Sequence, residues 1–178
     1  MPISNKYKTI FVHIPKTGGA AIEKTLGIFG SDNNGCLNPN YEILYGKSDH
    51  QILHHLKLNE IKDIKKKEFK DFKLVSFVRN PYDRIVSEYL WRLQVYGNRK
   101  VGFKEFLNED AIPRKNKINK FLKNFYNDEK LISFLDVHYD SQISFLMIDN
   151  KIEVKNIGKF EKLAENFELI LNSLAVIM

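Results

Sequence analysis

The feature that most constrains the fold is an order of strand, turn and helix that occurs twice along the chain. Residues 9–14 form a β-branched and aromatic run that stops at Pro15, which predicts a buried strand. Residues 72–78 form a second such run, and helical patterns follow the two runs at 20–26 and 81–95. Strands that alternate with helices predict an α/β fold in three layers, with a central, mainly parallel sheet flanked by helices.

The first residues of two helices carry recognisable capping signals. Asn80 is a favoured N-cap, Pro81 suits the first helical position, and Asp83 suits the first turn. Asn59 is predicted in the same way to cap a helix over 60–70, whose lysines face solvent. These signals predict where both helices begin.

Weaker patterns predict the remaining elements. The pair Asp149-Asn150 predicts a hairpin between strands over 144–148 and 152–157. Apolar residues at helical spacing predict a core-facing helix near the C-terminus, namely Phe160, Leu163, Phe167, Ile170, Leu171 and Leu174. We also predict a long surface loop over 27–48, a short strand over 51–55, and basic helices over 99–126 with a break near Pro113.

Composition bounds the class of protein and of ligand. The chain has 178 residues, 43% of them hydrophobic, which predicts a single globular domain over 1–178. Its net charge of +6 favours an anionic partner: a nucleotide, a nucleic acid, an acidic sugar or a membrane surface. Cys36 is the only cysteine, which excludes an intrachain disulfide and favours a reducing compartment. Since no apolar run approaches the ~20 residues of a membrane span and no signal peptide is evident, we expect a soluble, cytoplasmic protein.

The first strand–turn–helix corner has the pattern of an anion site. A strand that enters a glycine-containing loop and then a helix points backbone N–H groups at one spot. In this corner Lys16 adds a mobile charge, Thr17 adds a hydroxyl, and Gly18 and Gly19 allow close approach of a ligand. The loop is not a Walker A motif, because Gly-x-x-x-x-Gly-Lys-[Ser/Thr] is absent. An ordinary turn before a helix would have the same pattern.

The second corner offers a phosphate ligand. Arg79 stands at the carboxyl end of the second strand, where ligands bind in open α/β sheets. Its planar guanidinium suits a phosphate, and Ser87, two helical turns later, can add a hydroxyl. The alternative is a salt bridge for Arg79 and a packing role for Ser87.

Together the two corners resemble the sulfotransferase family. The matching motifs are Ile-Pro-Lys-Thr-Gly-Gly at 14–19 and Phe-Val-Arg-Asn-Pro-Tyr-Asp-Arg-x-Val-Ser-x-Tyr at 77–89. They look closest to the carbohydrate branch, which includes heparan sulfate 2-O-sulfotransferases and their small bacterial relatives. Segments 54–61, 138–146 and 157–167 also resemble that branch, so the likeness extends from about residue 8 to residue 172.

The resemblance implies a fold related to P-loop kinases and a specific reaction. Family members transfer a sulfuryl group from 3′-phosphoadenosine 5′-phosphosulfate (PAPS) to a hydroxyl acceptor, here expected to be a saccharide. 3′-Phosphoadenosine 5′-phosphate (PAP) leaves. By motif matching, the 5′-phosphosulfate would be held by Lys16, Thr17, Gly18, Gly19 and the backbone of Ala20. Arg79 and Ser87 would hold the 3′-phosphate, and Lys16 would also stabilise the charge on the bridging oxygen.

A histidine is the expected general base, because its ordinary pKa of ~6.5 lies near working pH. The candidates are His13, His50, His54, His55 and His138. His55 aligns best with the family's catalytic histidine, and His54 is the alternative because only one of two neighbours on a strand can face the cleft. We interpret His13 as structural, and His138 as lining the acceptor site or packing.

The chain departs from the family pattern at two places. Ala20 and Ala21 replace the usual Thr or Ser, whose hydroxyls help to hold the 5′-phosphate. The sequence ends at Met178, where family members usually continue with a further segment. These departures leave open an inactive PAP- or PAPS-binding protein of the same fold. A kinase-like phosphoryl transferase and a nucleic-acid-binding module fit less well, since Walker and recognition motifs are absent, and no metal-ligand cluster is expected.

Overall fold

A computed structural model of the chain describes residues 3–4, 6–28, 47–48, 51–52, 55–95, 102–108 and 137–175. The chain divides into two compact units, one formed by 1–79 with 141–178 and the other by 80–140. The expectation of one domain over 1–178 stays a prediction.

The described helices and strands follow one another in a clear order. They are β1 (Ile3–Ser4), β2 (Thr9–Val12), α1 (Gly19–Thr25), β3 (Lys47–Ser48), β4 (Gln51–Ile52), α2 (Leu58–Lys65), β5 (Lys73–Val78), α3 (Pro81–Val95), α4 (Phe103–Phe106), α5 (Gln142–Phe145), β6 (Met147–Ile148), β7 (Lys151–Ile152), β8 (Asn156–Lys159) and α6 (Leu163–Ala175). Short 3-10 helices cover Lys66–Asp71, Val137–Tyr139 and Phe160–Lys162.

The first unit is built on a sheet with the strand order β1, β2, β5, β8. β2 pairs with β5 and β5 with β8 in parallel, and β1 pairs antiparallel with β2. All four residues of β2 are buried, as expected for a parallel strand covered on both faces. The predicted α/β fold with a mainly parallel sheet flanked by helices is therefore confirmed.

The hydrophobic core of this unit lies between the sheet and two helices. Phe11, Val75 and Phe77 from the strands pack with residues from α1, its C-cap and α6, namely Ile22, Leu26, Ile170 and Leu174. Leu163, Phe167 and Leu171 pack against the same cluster while half-buried. The predicted core-facing helix is confirmed from Leu163 onward. Its first predicted core residue, Phe160, lies instead in a 3-10 turn, Phe160–Lys162, and is not part of the described core cluster.

The predicted cap of the helix after residue 57 is wrong. α2 begins at Leu58 with Lys57 as its N-cap, so Asn59 lies exposed within the first turn. The start is fixed by Glu60, whose Oε2 accepts a hydrogen bond from the Lys57 backbone N at 2.6 Å. This is half of a capping box, in which the acid three residues after the cap determines where the helix starts.

The Asp149-Asn150 hairpin is confirmed, but its strands are shorter than predicted. β6 and β7 pair antiparallel, and the two turn residues have φ of 49° and 63°, which suits a tight hairpin turn. Residues 144–145 belong instead to α5, and 156–157 belong to β8 in the main sheet.

Other predictions fall partly outside the described residues. The strand predicted over 51–55 is reduced to β4, which pairs with β3 at the end of the predicted 27–48 loop. Most of that loop lies outside the described residues. The same holds for 99–126, of which α4 is the described helix.

The second unit contains α3 with its predicted bounds. The Asn80 side-chain Oδ1 accepts a hydrogen bond from the Tyr82 backbone N at 2.9 Å, so the predicted N-cap is confirmed. Within the described ranges, every helix is too short or too polar to traverse a lipid bilayer.

Candidate functional site

The candidate site of the first unit lies where its parallel strands end. Because β2, β5 and β8 run in the same direction, their carboxyl ends meet at one edge of the sheet. The residues that follow these ends are the loop 13–18, Arg79 and Phe160. Ligands bind at this edge in open α/β sheets.

The loop after β2 has an unusual backbone. Lys16 has φ of 67° and Gly18 has φ of 80°, both in the left-handed region. That conformation strains a lysine, and such strain persists where surrounding contacts enforce it. The Thr17 hydroxyl is buried and donates to the Ile14 carbonyl at 2.8 Å. The hydroxyl proton of Thr17 is therefore used within the loop, and the donor that Thr17 can offer to an anion is its backbone N–H.

The two glycines make room for aromatic rings. A Cβ on Gly18 would lie 2.8 Å from Phe160 Cε2, and a Cβ on Gly19 would overlap the His13 imidazole. Both positions therefore need glycine for packing inside the protein. From the sequence, these glycines were explained by the close approach of a ligand. The internal packing is a different reason, and it is compatible with the first.

Arg79 connects the second corner to the first. Its guanidinium Nη1 donates to the Lys16 carbonyl at 3.3 Å, and its Cζ lies 4.2 Å from the centre of the Phe160 ring. Its Nε is buried and has no hydrogen-bond partner among the residues that the structure describes. A buried, unsatisfied guanidinium donor is costly unless a ligand accepts from it.

The Arg79 backbone is held by a side chain from α5. The Arg79 N donates to Gln142 Oε1 at 2.8 Å, and Gln142 Nε2 donates to the Arg79 carbonyl at 2.7 Å. The carboxamide thus pairs with Arg79 much as a residue of a neighbouring strand would, one residue beyond the end of β5.

His55 and His13 form a buried pair near the loop. The His55 Nδ1 lies 3.0 Å from the His13 carbonyl, and the rings meet edge-on with centroids 4.5 Å apart. A carbonyl only accepts, so Nδ1 carries a proton and the lone pair of a neutral His55 is on Nε2. The His13 Nδ1 lies 2.7 Å from the buried Glu23 Oε1. His50 and His54 lie outside the described residues.

The start of α1 bears the two alanines that depart from the family pattern. Ala20 and Ala21 are exposed there, and the Ala21 N donates to the Gly18 carbonyl at 3.1 Å. The N–H groups of a helix's first residues have no acceptor within the helix. The backbone of Gly19 and Ala20 therefore offers the kind of donors that an anion needs, without a hydroxyl beside them.

Most of the predicted site residues are connected through contacts in the first unit. Arg79 contacts Lys16, Gly18 packs on the ring that also covers Arg79, and Gly19 packs on His13, which accepts from His55. Ser87 is half-buried on α3 in the second unit, and its part in the site stays a prediction. Across the described ranges, no three His, Cys, Asp or Glu side chains are grouped as metal ligands would be.

The second unit contains a buried ionic network. Glu88 Oε1 accepts from Arg92 Nε and its Oε2 lies by His138 Nδ1, both at 2.8 Å. Burial alone would raise the pKa of Glu88, but the hydrogen bonds and charges of His138 and Arg92 outweigh it and lower that pKa to about 2. Arg84 donates to the carbonyls of His138 and Asp140, while burial lowers its pKa.

In this network His138 is buried and packed between other side chains. Its ring lies 5.4 Å from that of Trp91, and it is buried beside Glu88. Of the two alternatives for His138, the geometry favours packing. The i, i+4 spacing of Glu88 and Arg92 was visible in the sequence, but such a pair is usually exposed, so nothing indicated its burial.

Sequence reasoning missed three residues of the site. Gln142 and Phe160 stood in the segments 138–146 and 157–167, which resemble the sulfotransferases, but the motifs assigned them no role. Glu23 looks in the sequence like an ordinary exposed charge on a short helix. In the structure it is buried beside Ile22 and contacts His13.

Comparison with known proteins gives the family of the chain. The chain matches a family model described as the sulfotransferase family over residues 1–177. Searches of curated proteins and of solved structures found no significant match. A family match over almost the whole chain, with both motif corners in place, identifies the class of protein. The chain belongs to the sulfotransferase family.

Proposed function

We propose that the protein transfers a sulfuryl group from PAPS to a hydroxyl of a carbohydrate. The observation that carries this proposal is the contact of Arg79 with the Lys16 carbonyl, which joins the two motif corners in one basic site. The carbohydrate acceptor rests on the resemblance to the carbohydrate branch of the family, and the net charge of +6 suits an acidic saccharide.

The residues present fit an anionic nucleotide. Arg79 has a buried Nε with no partner in the described part of the chain, and a phosphate oxygen would satisfy it. The N–H groups of Gly19 and Ala20 open α1, and Lys16 stands at the strained turn before them. PAPS would supply the sulfuryl group and a nucleotide leaving group.

Each basic residue then has a distinct part. The Lys16 ammonium would neutralise the negative charge that develops at the oxygen leaving the sulfur. Arg79 would hold the 3′-phosphate, with Ser87 as the second ligand that the resemblance assigns to it. Holding the nucleotide at both ends leaves the sulfur fixed for in-line attack.

His55 is suited to take the proton of the acceptor hydroxyl. With Nδ1 donating to the His13 carbonyl, a neutral His55 accepts the proton at Nε2. The imidazolium formed keeps its Nδ1 hydrogen bond, which stabilises the charged ring. The buried Glu23 holds His13 in place and so maintains the backbone carbonyl that orients His55.

A second candidate is a PAP-binding protein of the same fold without catalysis. It is favoured by the exposed methyl groups of Ala20 and Ala21, where the family has hydroxyls. Two lost hydrogen bonds to a charged group would cost about 1.5–3 kcal/mol each in donor binding. This candidate predicts nucleotide binding with no sulfuryl transfer to any acceptor.

Calorimetric titration with PAP, ATP and AMP tests the nucleotide site. We expect PAP to bind more tightly than ATP or AMP, and Arg79→Ala to weaken PAP binding by about tenfold or more, because a charge-assisted contact is lost. Lys162→Ala removes a comparable charge at an exposed side chain of the first unit and should leave the affinity unchanged. No PAP binding at millimolar concentration would refute the proposal.

Transfer is then measured with labelled PAPS and a panel of saccharides. Turnover that His55→Ala abolishes, while PAP affinity is retained, supports the base. PAP binding without any transfer would instead establish the second candidate.

A further inference from the structure

The geometry around Arg79 assigns a role to two residues that no motif explains. We infer that Gln142 and Phe160 are positioning residues, which hold the Arg79 guanidinium in the orientation that an anionic nucleotide requires. The inference rests on the proposed function, because Arg79 is its phosphate ligand there.

Gln142 fixes the Arg79 backbone at both of its polar groups. The bonds to N and O are 2.8 and 2.7 Å long, and β5 itself ends one residue earlier, at Val78. Arg79 lies beyond the last pair of the sheet, Val78 with Lys159, and its backbone N and O bond to Gln142 instead of to a strand. A carboxamide has one donor group, its NH2, and one acceptor group, its oxygen, and this pattern uses both.

Phe160 fixes the other end of the side chain. The guanidinium carbon lies 4.2 Å from the centre of its ring, within the range of a cation–π contact. The same ring packs on Gly18, where a Cβ would come within 2.8 Å. Phe160 therefore lies against both the loop and the arginine, and it limits where the guanidinium can move.

The buried Nε donor of Arg79 explains why the orientation of the guanidinium matters. One terminal nitrogen, Nη1, is used on the Lys16 carbonyl, and the buried Nε is left without a partner among the described residues. An arginine that rotated freely would turn this donor toward water or toward the carbonyl. The contacts of Arg79 with Gln142, Phe160 and the Lys16 carbonyl keep the Nε donor available for a ligand. The cost is a buried donor that stays unsatisfied until the ligand binds, as is typical of preorganised binding sites.

Matched variants separate positioning from mere structure. Gln142→Met keeps the side-chain length and removes both hydrogen bonds, and Phe160→Leu removes the ring. We expect each to weaken PAP binding by about tenfold, since misplacement of a ligand group by an ångström has effects of this order or larger. Phe160→Tyr, which keeps the ring, should restore the affinity to within about twofold. Ile143→Ala, exposed on the same helix as Gln142, should have no effect.

A double-mutant cycle gives the decisive reading. In an Arg79→Ala background no cationic side chain is left to be positioned, so Gln142→Met should weaken PAP binding far less than it does in the wild-type protein. A purely structural role would weaken binding equally in both backgrounds, and that result would overturn the inference.

A ligand-free measurement keeps the inference separate from the proposed function. The ¹H–¹⁵N signal of the Arg79 Nε–H should be sharp in the wild-type protein and broadened or shifted in Gln142→Met and Phe160→Leu. If wild-type protein binds no PAP, the proposed function fails, and this signal alone decides the inference. An Nε–H signal that is the same in all three proteins would overturn it.

Discussion

At the scale of single residues, the buried charge of Glu88 in the second unit makes the stability of the protein depend on pH. Glu88 is almost completely buried, yet it stays ionised because Arg92 and His138 both contact its carboxylate. Removing one partner of a buried ionic group is far more costly than removing an exposed one, because the other partners are left uncompensated in a low-dielectric environment.

The Glu88 network predicts a loss of stability in acid. The folded-state pKa of about 2 lies below the ordinary 4.5, so the stabilisation is fully present above pH 4.5 and is lost as the pH falls toward 2. It is on the order of 3 kcal/mol. Urea denaturation of Glu88→Gln should show a loss of about 3–5 kcal/mol at pH 7 and a flatter pH dependence below 4.5.

An exposed carboxylate provides the control for this prediction. Glu165→Gln, which breaks a solvent-exposed pair with Lys162, should change the free energy of unfolding by less than about 1 kcal/mol. Equal losses for Glu88→Gln and Glu165→Gln would show that the buried network contributes nothing special.

Single residues were also where prediction from sequence was most uneven. Lys16, Gly18, Gly19, Arg79 and His55 were singled out from their motifs, and the structure connects them through contacts. Glu23, Gln142 and Phe160 were not, because their roles depend on contacts across 10 or more residues of chain that no local pattern encodes. The Thr17 hydroxyl was assigned to a ligand, whereas its hydrogen bond to Ile14 could be seen only in three dimensions.

At the scale of elements, capping chemistry decides where helices begin. α3 begins after Asn80, as its sequence predicts, because the Asn80 side chain accepts from Tyr82 N. α2 begins two residues before Asn59 would place its start, because Glu60 reaches back to Lys57 N. The same residue type therefore caps one helix and lies inside the first turn of another, where the hydrogen bond from Lys57 N to Glu60 places the start of α2 two residues earlier.

The two asparagines give a matched pair of substitutions. Asn80→Ala should destabilise the protein by about 1 kcal/mol, because the first turn of α3 loses its side-chain acceptor. Asn59→Ala should be neutral or slightly stabilising, because alanine is the better helix former within a turn. Chemical denaturation of both variants measures the difference. Equal effects would contradict the role of Asn80 as the cap of α3.

At the scale of the whole molecule, two of the parallel strands could be predicted from the sequence, and the third, β8, could not. Two buried strands, each followed by a turn and a helix, suffice to predict β2, β5 and the edge at which the loops meet. β8 was not predicted as a third parallel strand, because 156–159 is short and half polar and was joined to the preceding hairpin instead. Its pairing with β5 depends on Gly158, where a Cβ would overlap Phe77.

The whole molecule should respond to nucleotide through its stability. A ligand that binds only the folded protein at 100 times its Kd adds about 2.7 kcal/mol. For a chain of 178 residues we expect PAP at that level to raise the Tm by about 5–10 °C. AMP, which lacks the 3′-phosphate that Arg79 is proposed to bind, should raise it less. Arg79→Ala should remove most of the difference between the two nucleotides, whereas equal shifts with PAP and AMP in the wild-type protein would contradict a 3′-phosphate site.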